Sequence, residues 1–178
     1  FTATYSGFVN GQNASVVTSV SFTLSPNYTG NAGVYQIIVN ATAANYVFTS
    51  INGTLYVNPS GPGTKQVKPN FICRENLSSP GPGGFMYIAH FSYENQNSTP
   101  VYIPVGPKNA TSGSAHDATG QPVRFLPGGG TWAVPFNNVG QLTWQITSNK
   151  NNGTTGSIPA NTSNVVCSPG SYQGSFEQ

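Results

Sequence analysis

The first 64 residues contain no Asp, Glu, Lys or Arg, and Lys65 is the first charged side chain of the 178-residue sequence. Charged residues make up 6% of the whole chain, against roughly 25% in an ordinary globular protein. A surface with so little charge needs another way to stay in solution. Two ways fit the sequence: glycans that hydrate the surface, or burial of that surface against neighbouring subunits.

The composition nevertheless allows a folded core. Apolar residues make up 37% and aromatic residues 12% of the chain, whereas disorder requires low hydrophobicity together with high charge. The net charge of +2 comes from scattered Lys and Arg residues, so no basic patch for nucleic acid is expected. No apolar run approaches the ~20 residues that span a bilayer. The sequence therefore predicts no nucleic-acid partner and no membrane span.

Asn-X-Ser/Thr sequons are unusually frequent. The chain has nine, where its 20 Asn and 37 Ser or Thr residues predict about four by chance. The motif is the acceptor of N-linked glycans in secretory proteins, although an Asn- and Thr-rich composition alone accounts for about half of the sites. The candidate glycosylation sites are Asn13, Asn27, Asn40, Asn52, Asn76, Asn97, Asn109, Asn152 and Asn161.

The sequence contains two cysteines, Cys73 and Cys167, and no Cys-X-X-Cys motif. A metal or redox site is therefore not expected. A disulfide between the two would close a loop of about 95 residues and would place the protein in an oxidising compartment. Two separate buried thiols are the alternative. The sequence predicts the disulfide and an extracellular or cell-surface location.

Every element that the hydrophobic pattern identifies is a strand. Asn52-Gly53 is the strongest short hairpin signal in the sequence. No segment has helical periodicity with caps, and short strands separated by turns favour β-sandwiches. The sequence predicts strands in residues 2–9, 15–24, 34–42, 45–50, 51–59, 84–93, 99–106, 121–127, 131–136 and 141–148. In-strand prolines at Pro100, Pro104, Pro122 and Pro135 indicate edges or bulges.

A Pro- and Gly-rich segment, "NPSGPGTKQVKP", separates two parts of different charge content. Such segments act as semi-rigid spacers. We therefore expect an all-β protein of two tandem Ig-like β-sandwich domains. The expected boundaries are residues 1–58 for the first domain, 59–69 for the linker, 70–167 for the second domain and 168–178 for a C-terminal tail.

Residues 1–57 resemble the MBG-type bacterial Ig-like repeat. The resemblance rests on the opening "TATYSGFVNG", the central "GVYQIIV" and the closing "ANYVFTSINGTLYV". It implies a stalk module of a secreted, surface-exposed, adhesin-like protein without catalytic residues. Members of this family usually have a further strand before the position of "FTATY". The domain as written would therefore lack an edge strand.

Residues 71–167 resemble a Cys-bounded module found near the ends of bacterial secreted proteins. The matching stretches are "GGFMYIAHFSYENQNSTPVYIPVGPKN", "GQPVRFLPGG" and "LTWQITSN". This resemblance implies an extracellular β-sandwich and no particular activity.

A missing strand leaves unpaired backbone groups and an open apolar groove, which another chain can fill by donating a strand. The tail "SPGSYQGSFEQ" places Tyr172, Gly174 and Phe176 on one strand face, and the first residues of the chain are a second candidate donor. If each subunit fills the groove of the next, a filament results. The expected partners are therefore copies of the chain itself or neighbouring Ig-like domains, with Tyr172 and Phe176 as candidate subunit contacts. The alternatives are a stalk fragment of a larger adhesin and a carbohydrate-binding module.

Nothing in the sequence points to an enzyme, a metal site or a cofactor. Glu75 and Glu94 are a weak candidate for the carboxylate pair of a glycosidase, and His116-Asp117 reads as a loop. Trp132 and Trp144 are the candidates for a sugar-stacking platform, although aromatic residues more often fill a core.

Overall fold

The structure is a computed structural model that describes residues 1–149, 155–163 and 165–168. It divides into two units, Phe1–Val57 and Asn58–Gln178. Among the described residues there are antiparallel strands, turns and two short 3₁₀ segments, Ala14–Val16 and Pro82–Gly84, and no α-helix. The all-β prediction is confirmed. The strands form several antiparallel sheets, and two tandem Ig-like sandwiches are not established by them.

The first unit contains one three-stranded antiparallel sheet of order β1-β2-β3. Its strands are β1 (Ser19–Ser25), β2 (Gly33–Thr42) and β3 (Gly53–Val57). Apolar and hydroxyl side chains alternate along β1, so one face of the sheet is apolar. The register places Phe22 opposite Val39 and Leu24 opposite Ile37 on that face. The sheet therefore has an apolar face that some other element must cover.

Two segments of the first unit were expected to be strands and are not. Residues 1–9 and residues 47–52 have no regular secondary structure. A two-residue hairpin at Asn52-Gly53 is also wrong, because Gly53 begins β3 and no strand precedes it directly. An alternating sequence forms a strand only where a neighbouring strand supplies hydrogen bonds. Within residues 1–57, all of which the structure describes, neither segment has such a neighbour.

The second unit contains two three-stranded sheets, of order β4-β5-β9 and β11-β10-β7, and a two-stranded ribbon of β6 and β8. All of its strand pairings are antiparallel. Its strands are β4 (Val67–Asn76), β5 (Tyr87–Asn95), β6 (Val101–Tyr102), β7 (Asn109–Ser112), β8 (Arg124–Phe125), β9 (Gly130–Phe136), β10 (Thr143–Asn149) and β11 (Thr155–Asn161).

An aromatic cluster forms the centre of the second unit. The ring centroid of Trp144 on β10 lies 5.8 Å from that of Phe91 on β5 and 5.2 Å from that of Trp132 on β9. Because β10 belongs to one sheet and β5 and β9 to the other, these contacts join the two sheets across a single core. Phe125 of β8 closes the core beside Trp144 and is fully buried.

Prolines in strands occupy sheet edges, as expected for residues that donate no hydrogen bond. Of the four prolines expected in strands, only Pro135 lies in one, and its strand, β9, is an edge strand of its sheet. Pro100, Pro104 and Pro122 lie outside the strands. The segment predicted as a linker is shorter than residues 59–69, because β4 begins at Val67 and the side chains of Val67 and Pro69 are fully buried in the second unit. Pro69 lies on the edge strand β4, where a missing donor is tolerated.

Candidate functional site

An open groove of about 820 Å³ lies over the apolar face of the sheet in the first unit. The sheet contributes side chains that alternate along β1 and β2, and the two irregular segments, residues 1–8 and 46–51, form the opposite wall. The sheet residues that line the groove are Phe22, Ile37, Val39, Ala41 and Gly53. No charged residue lines it, since residues 1–57 contain none.

The irregular segments touch the sheet and one another through aromatic rings. The Phe1 ring lies 5.9 Å from that of Phe22, and the Tyr5 ring lies 5.9 Å from that of Phe48. Two aliphatic side chains of this wall are nevertheless turned toward solvent: Val47 is 101% exposed and Ile51 90% exposed. Within residues 1–57 only Tyr35 is counted as buried. The apolar face is thus covered loosely, and the unit has no closed core.

One strand position beside β2 is vacant. The register pairs β3 with Gly33–Ile37 of β2 and goes no further. The second half of β2, residues 38–42, is paired with β1 on one side. On the other side the described residues of the unit supply no strand. A strand added on that side would pair with the backbone of residues 38–42.

The two outer strands of this sheet carry none of the usual protections against pairing with another chain. Charged side chains, prolines and bulges normally protect edge strands. Neither β1 nor β3 contains a charge or a proline, and both are paired in regular register on their inner side. Neither edge strand is therefore protected by charge or by proline.

Both tryptophans lie in the core of the second unit, as expected for aromatic residues, and the alternative of a sugar-stacking platform at these residues is excluded. Trp144 is fully buried and Trp132 is 8% exposed. Their ring nitrogens donate hydrogen bonds inside the protein, from Trp144 to Asn109 Oδ1 and from Trp132 to the Thr119 carbonyl. Neither ring presents a face on which a sugar can stack.

The two glutamates of the glycosidase hypothesis lie far apart. Glu75 is paired across the sheet with Ile88, and Glu94 with Lys68. Six residues of β5 separate Ile88 from Glu94, about 20 Å along a strand, whereas a glycosidase pair is separated by about 5–9.5 Å. The Glu75 carboxylate instead contacts the ring of His90, with Oε2 of Glu75 3.3 Å from Nε2 of His90. This carboxylate pair is therefore excluded.

His116 and Asp117 use different partners. The ring of His116 contacts the Ser114 carbonyl at 2.6 Å and Thr111 Oγ1 at 2.9 Å. Asp117 accepts hydrogen bonds from the hydroxyl and the backbone N–H of Thr119, and these bonds lower the pKa of its carboxyl. In the described part of the chain no three His, Cys, Asp or Glu side chains converge on a point where a metal ion would bind.

Cys73 and Cys167 form a disulfide with a Cα–Cα distance of 4.9 Å, consistent with the expected pairing. Around it, the backbone N–H of Cys167 donates to the Arg74 carbonyl, and the N–H of Arg74 donates to the Val165 carbonyl. The disulfide therefore fastens the chain after β11 to the edge strand β4.

The sequons fall into two groups in the structure. The exposed sequon asparagines are Asn13, Asn27, Asn40, Asn52, Asn76 and Asn161. Asn97 and Asn109 are 8% and 0% exposed, and their Nδ2 atoms donate hydrogen bonds inside the protein. A glycan attaches through that nitrogen, so the prediction of glycans at these two sites is incompatible with the folded unit. Asn152 lies outside the described residues, as do residues 169–178 of the tail, which include Tyr172 and Phe176.

Comparisons with known proteins identify part of the first unit. Residues 1–56 match the family model of the MBG domain (YGX type), which confirms the resemblance expected from the sequence. The match covers about a third of the chain. It indicates a repeat of the kind found in bacterial surface and adhesin-like proteins, which together with the disulfide is consistent with a secreted or surface protein. No curated protein and no solved structure matches the chain.

Where the chain is described, none of its helical segments has the length and apolarity to cross a bilayer.

Proposed function

We propose that this chain is a non-enzymatic structural subunit of an extracellular, cell-surface filament, in which each copy donates a β-strand to the first unit of the next. The observation that carries the proposal is the open apolar groove beside the vacant strand position of β2. An added strand would pair with the free backbone groups of β2 and place alternate side chains on the apolar face. Backbone pairing supplies affinity and side-chain pockets supply specificity in this mode of recognition.

The contact is heterologous, because a groove on one copy meets a different segment of another. Such contacts form open filaments when the rotation between copies does not close a ring. The segment after Cys167 is the first candidate donor. Tyr172, Gly174 and Phe176 are spaced two residues apart, so in a strand they would lie on one face and give it two aromatic rings. The first residues of the chain, "FTATYSGF", alternate in the same way and are the second candidate.

Glycans at the exposed sequons fit this arrangement. Four of those sites, Asn13, Asn27, Asn40 and Asn52, lie in the first unit, which has no charge to keep it soluble. Asn40 pairs across the sheet with Ser21, and both are exposed on the face opposite to Val39 and the groove. A glycan at Asn40 would hydrate the outer face and leave the apolar face free for the donated strand.

Mapping of glycopeptides from protein isolated from its natural source should find Asn97 and Asn109 unmodified. The reason is that both Nδ2 atoms lie inside the folded unit and donate hydrogen bonds to main-chain carbonyls. Occupied sites are expected among the six exposed asparagines. A folded, natively purified protein that carries a glycan at Asn109 would contradict the structure, and a protein without any glycan would remove this part of the proposal.

Charge placed in the groove should abolish filament growth. Val39→Asp puts a carboxylate on the apolar face that a donated strand must cover, and burial of an unpaired charge costs about 3 kcal/mol or more, over a hundredfold in affinity. Val47→Asp tests the opposite wall of the groove with little risk to folding, because Val47 is fully exposed. The control is Gln36→Asp, which adds the same charge to an exposed position on the opposite face of β2.

Negative-stain electron microscopy and size-exclusion chromatography provide the measurement, with circular dichroism to establish folding. Filaments from the wild type and Gln36→Asp, and monomers from the two groove variants, are the expected result. Deletion of residues 169–178 should also stop growth if that segment is the donor, and added peptide SYQGSFEQ should then occupy the groove. A wild type that stays a well-folded monomer would refute the proposal.

A stalk repeat of a larger adhesin-like protein is the second candidate, and the MBG match to residues 1–56 favours it. In that case the vacant strand position is filled by a neighbouring segment of the same longer polypeptide. The intact mass of the natural protein separates the two candidates. A polypeptide mass close to 18.6 kDa plus sugar supports the subunit, and a much larger polypeptide supports the stalk.

A further inference from the structure

A second cavity, of about 460 Å³, lies entirely within the second unit. Its walls are mostly apolar and include Val101, Ile103 and Val105 together with three prolines. Lys65 and Lys108 also line it, and both are exposed. The only ion pair among the described residues joins His90 and Glu75, so neither lysine has a carboxylate partner there. Two of the ten charged residues of the chain thus meet at one apolar cavity.

Two asparagine side chains hold the walls of this cavity in place. Asn58 accepts from the N–H of Tyr102 at 2.7 Å and donates to its carbonyl at 2.8 Å. Asn97 binds the backbone of Lys65 in the same two-way manner, at 2.8 and 2.9 Å. These side-chain hydrogen bonds fix the backbone of a proline-rich wall, which cannot form a regular series of backbone hydrogen bonds between strands. The cavity is therefore preformed, which lowers the entropic cost of filling it.

The chemistry of the cavity favours a carboxylate attached to an apolar group. The two amines attract a negative charge, and the valine, isoleucine and proline side chains cover an apolar body. Two of the lining hydroxyl groups are poorly placed for a polyhydroxylated ligand, because the Ser148 oxygen already accepts from the N–H of Val67 and Thr64 is buried. An aromatic ring followed directly by a carboxylate fits this combination.

The sequence contains such a pair in Phe176-Glu177. Of the four acidic residues, the other three have hydrogen-bond partners within the described chain: Glu75 with His90, Glu94 with Gln96, and Asp117 with Thr119. We propose that residues 169–178 dock in this cavity of their own chain, with the Phe176 ring against the apolar wall and the Glu177 carboxylate between Lys65 and Lys108.

The attachment point of this segment allows the contact within one chain. Cys167 is bonded to Cys73 on β4, and Val67, near the cavity, lies six residues earlier on the same strand, about 20 Å away. Nine extended residues from Cys167 to Phe176 span about 30 Å. A short tether of this kind gives an effective concentration in the millimolar range, so docking within the chain competes well with docking between copies.

If the chain assembles as proposed above, this docking would also regulate assembly. The regulation rests on the proposed function, whereas the docking does not. A segment held in the cavity of its own chain is not available to fill the groove of a neighbour. Release from the cavity would convert a stored subunit into a donor. The docking itself, in contrast, is a property of a single chain and is testable without filaments.

Limited chymotrypsin digestion of the full 178-residue chain, followed by intact mass, measures how accessible the bonds after Tyr172 and Phe176 are. In Lys65→Glu/Lys108→Glu, cleavage there should be about three- to tenfold faster, the factor that two exposed ion pairs of ordinary strength supply. Adding Glu177→Lys to that variant should restore slow cleavage. Lys68→Glu, which changes the same charge on β4 outside the cavity, should behave as the wild type.

Equal cleavage rates in all four proteins, or a failure of Glu177→Lys to restore protection, would overturn the docking. Protection that rises with protein concentration would also overturn it, because it would place the contact between copies. Electron microscopy of the same variants separates this inference from the proposed function. If the cleavage rates are as expected but no filaments form, the docking is supported and the filament proposal is refuted. If filaments form but all cleavage rates are equal, the filament proposal is supported and the docking is refuted.

Discussion

Replacement of Asn109 by alanine should lower the free energy of unfolding of the second unit by about 3–5 kcal/mol. Asn109 is completely buried, and its Nδ2 donates to the carbonyls of Ile103 and Pro122 at 3.0 and 2.7 Å. Its Oδ1 accepts from Trp144 Nε1 at 3.0 Å and from Gln121 Nε2 at 2.8 Å. The variant leaves several of these buried groups without a partner, and each costs about 1–3 kcal/mol.

Urea denaturation followed by tryptophan fluorescence measures this loss selectively. Both tryptophans, Trp132 and Trp144, lie in the second unit, so their signal reports its unfolding and not that of the first unit. The control is Asn161→Ala, which removes an exposed sequon asparagine of the same unit and should change the free energy by less than about 0.5 kcal/mol. A loss below about 1 kcal/mol for Asn109→Ala would mean that the hydrogen-bond network is not formed.

Removal of the disulfide should be about as costly. Cys73 and Cys167 are 94 residues apart in sequence, and closure of a loop of that length restricts the unfolded chain by about 4–5 kcal/mol in the chain-entropy treatment. Single domains are stable by only about 5–15 kcal/mol. Cys73→Ser/Cys167→Ser should therefore retain a small part of the stability of the second unit, or unfold near physiological temperature.

The same fluorescence experiment tests the disulfide, with reduced wild-type protein as the matched control. Reduction and double substitution should shift the urea midpoint of the second unit by similar amounts. If reduction has the larger effect, the two free thiols themselves disturb the site, and if neither shifts the midpoint, the covalent link does not restrict the unfolded chain as expected. The first unit, which contains no cysteine, should be unaffected.

Strands with clear alternation were predictable from sequence. β2 and β5 combine β-branched or aromatic residues at every second position, and both were expected within three residues of their observed limits. Each is the central strand of its sheet, so its neighbours supply partners on both sides. Alternation is strongest in such strands because one face or both must be buried.

The strands that the sequence did not predict are edge strands. β4 contains Pro69 and several polar residues, β7 is "NATS", and β11 contains Pro159. Each has a partner on one side only, within the sheets that the structure describes. Edge strands tolerate proline and polar residues because one row of their backbone groups faces away from the ladder. Their composition therefore resembles that of loops.

The candidate site was predictable in kind but not in detail. The missing strand relative to the MBG resemblance led to the expectation of an open groove, and the groove lies over β1 and β2. The burial of both tryptophans was expected from their residue type, but the burial of Asn97 and Asn109 was not predictable, because it depends on partners distant in sequence. Trp144 and Asn109, for example, are 35 residues apart and share one hydrogen bond. No local signal in a sequon separates a buried asparagine from an exposed one.

The absence of charge in the first unit has a consequence for proton linkage. A change in pH alters folding stability only when the folded and unfolded states bind different numbers of protons. Residues 1–57 contain no Asp, Glu, His, Lys or Arg side chain. Every carboxylate and both imidazoles lie in residues 58–178. There the lowered pKa of Asp117 contributes stability that is present above the ordinary carboxyl range and is lost as the pH falls through the lowered value. Acid therefore acts on the carboxyl and imidazole side chains of the second unit, and the sheet that carries the groove has no such side chain through which acid could change its stability.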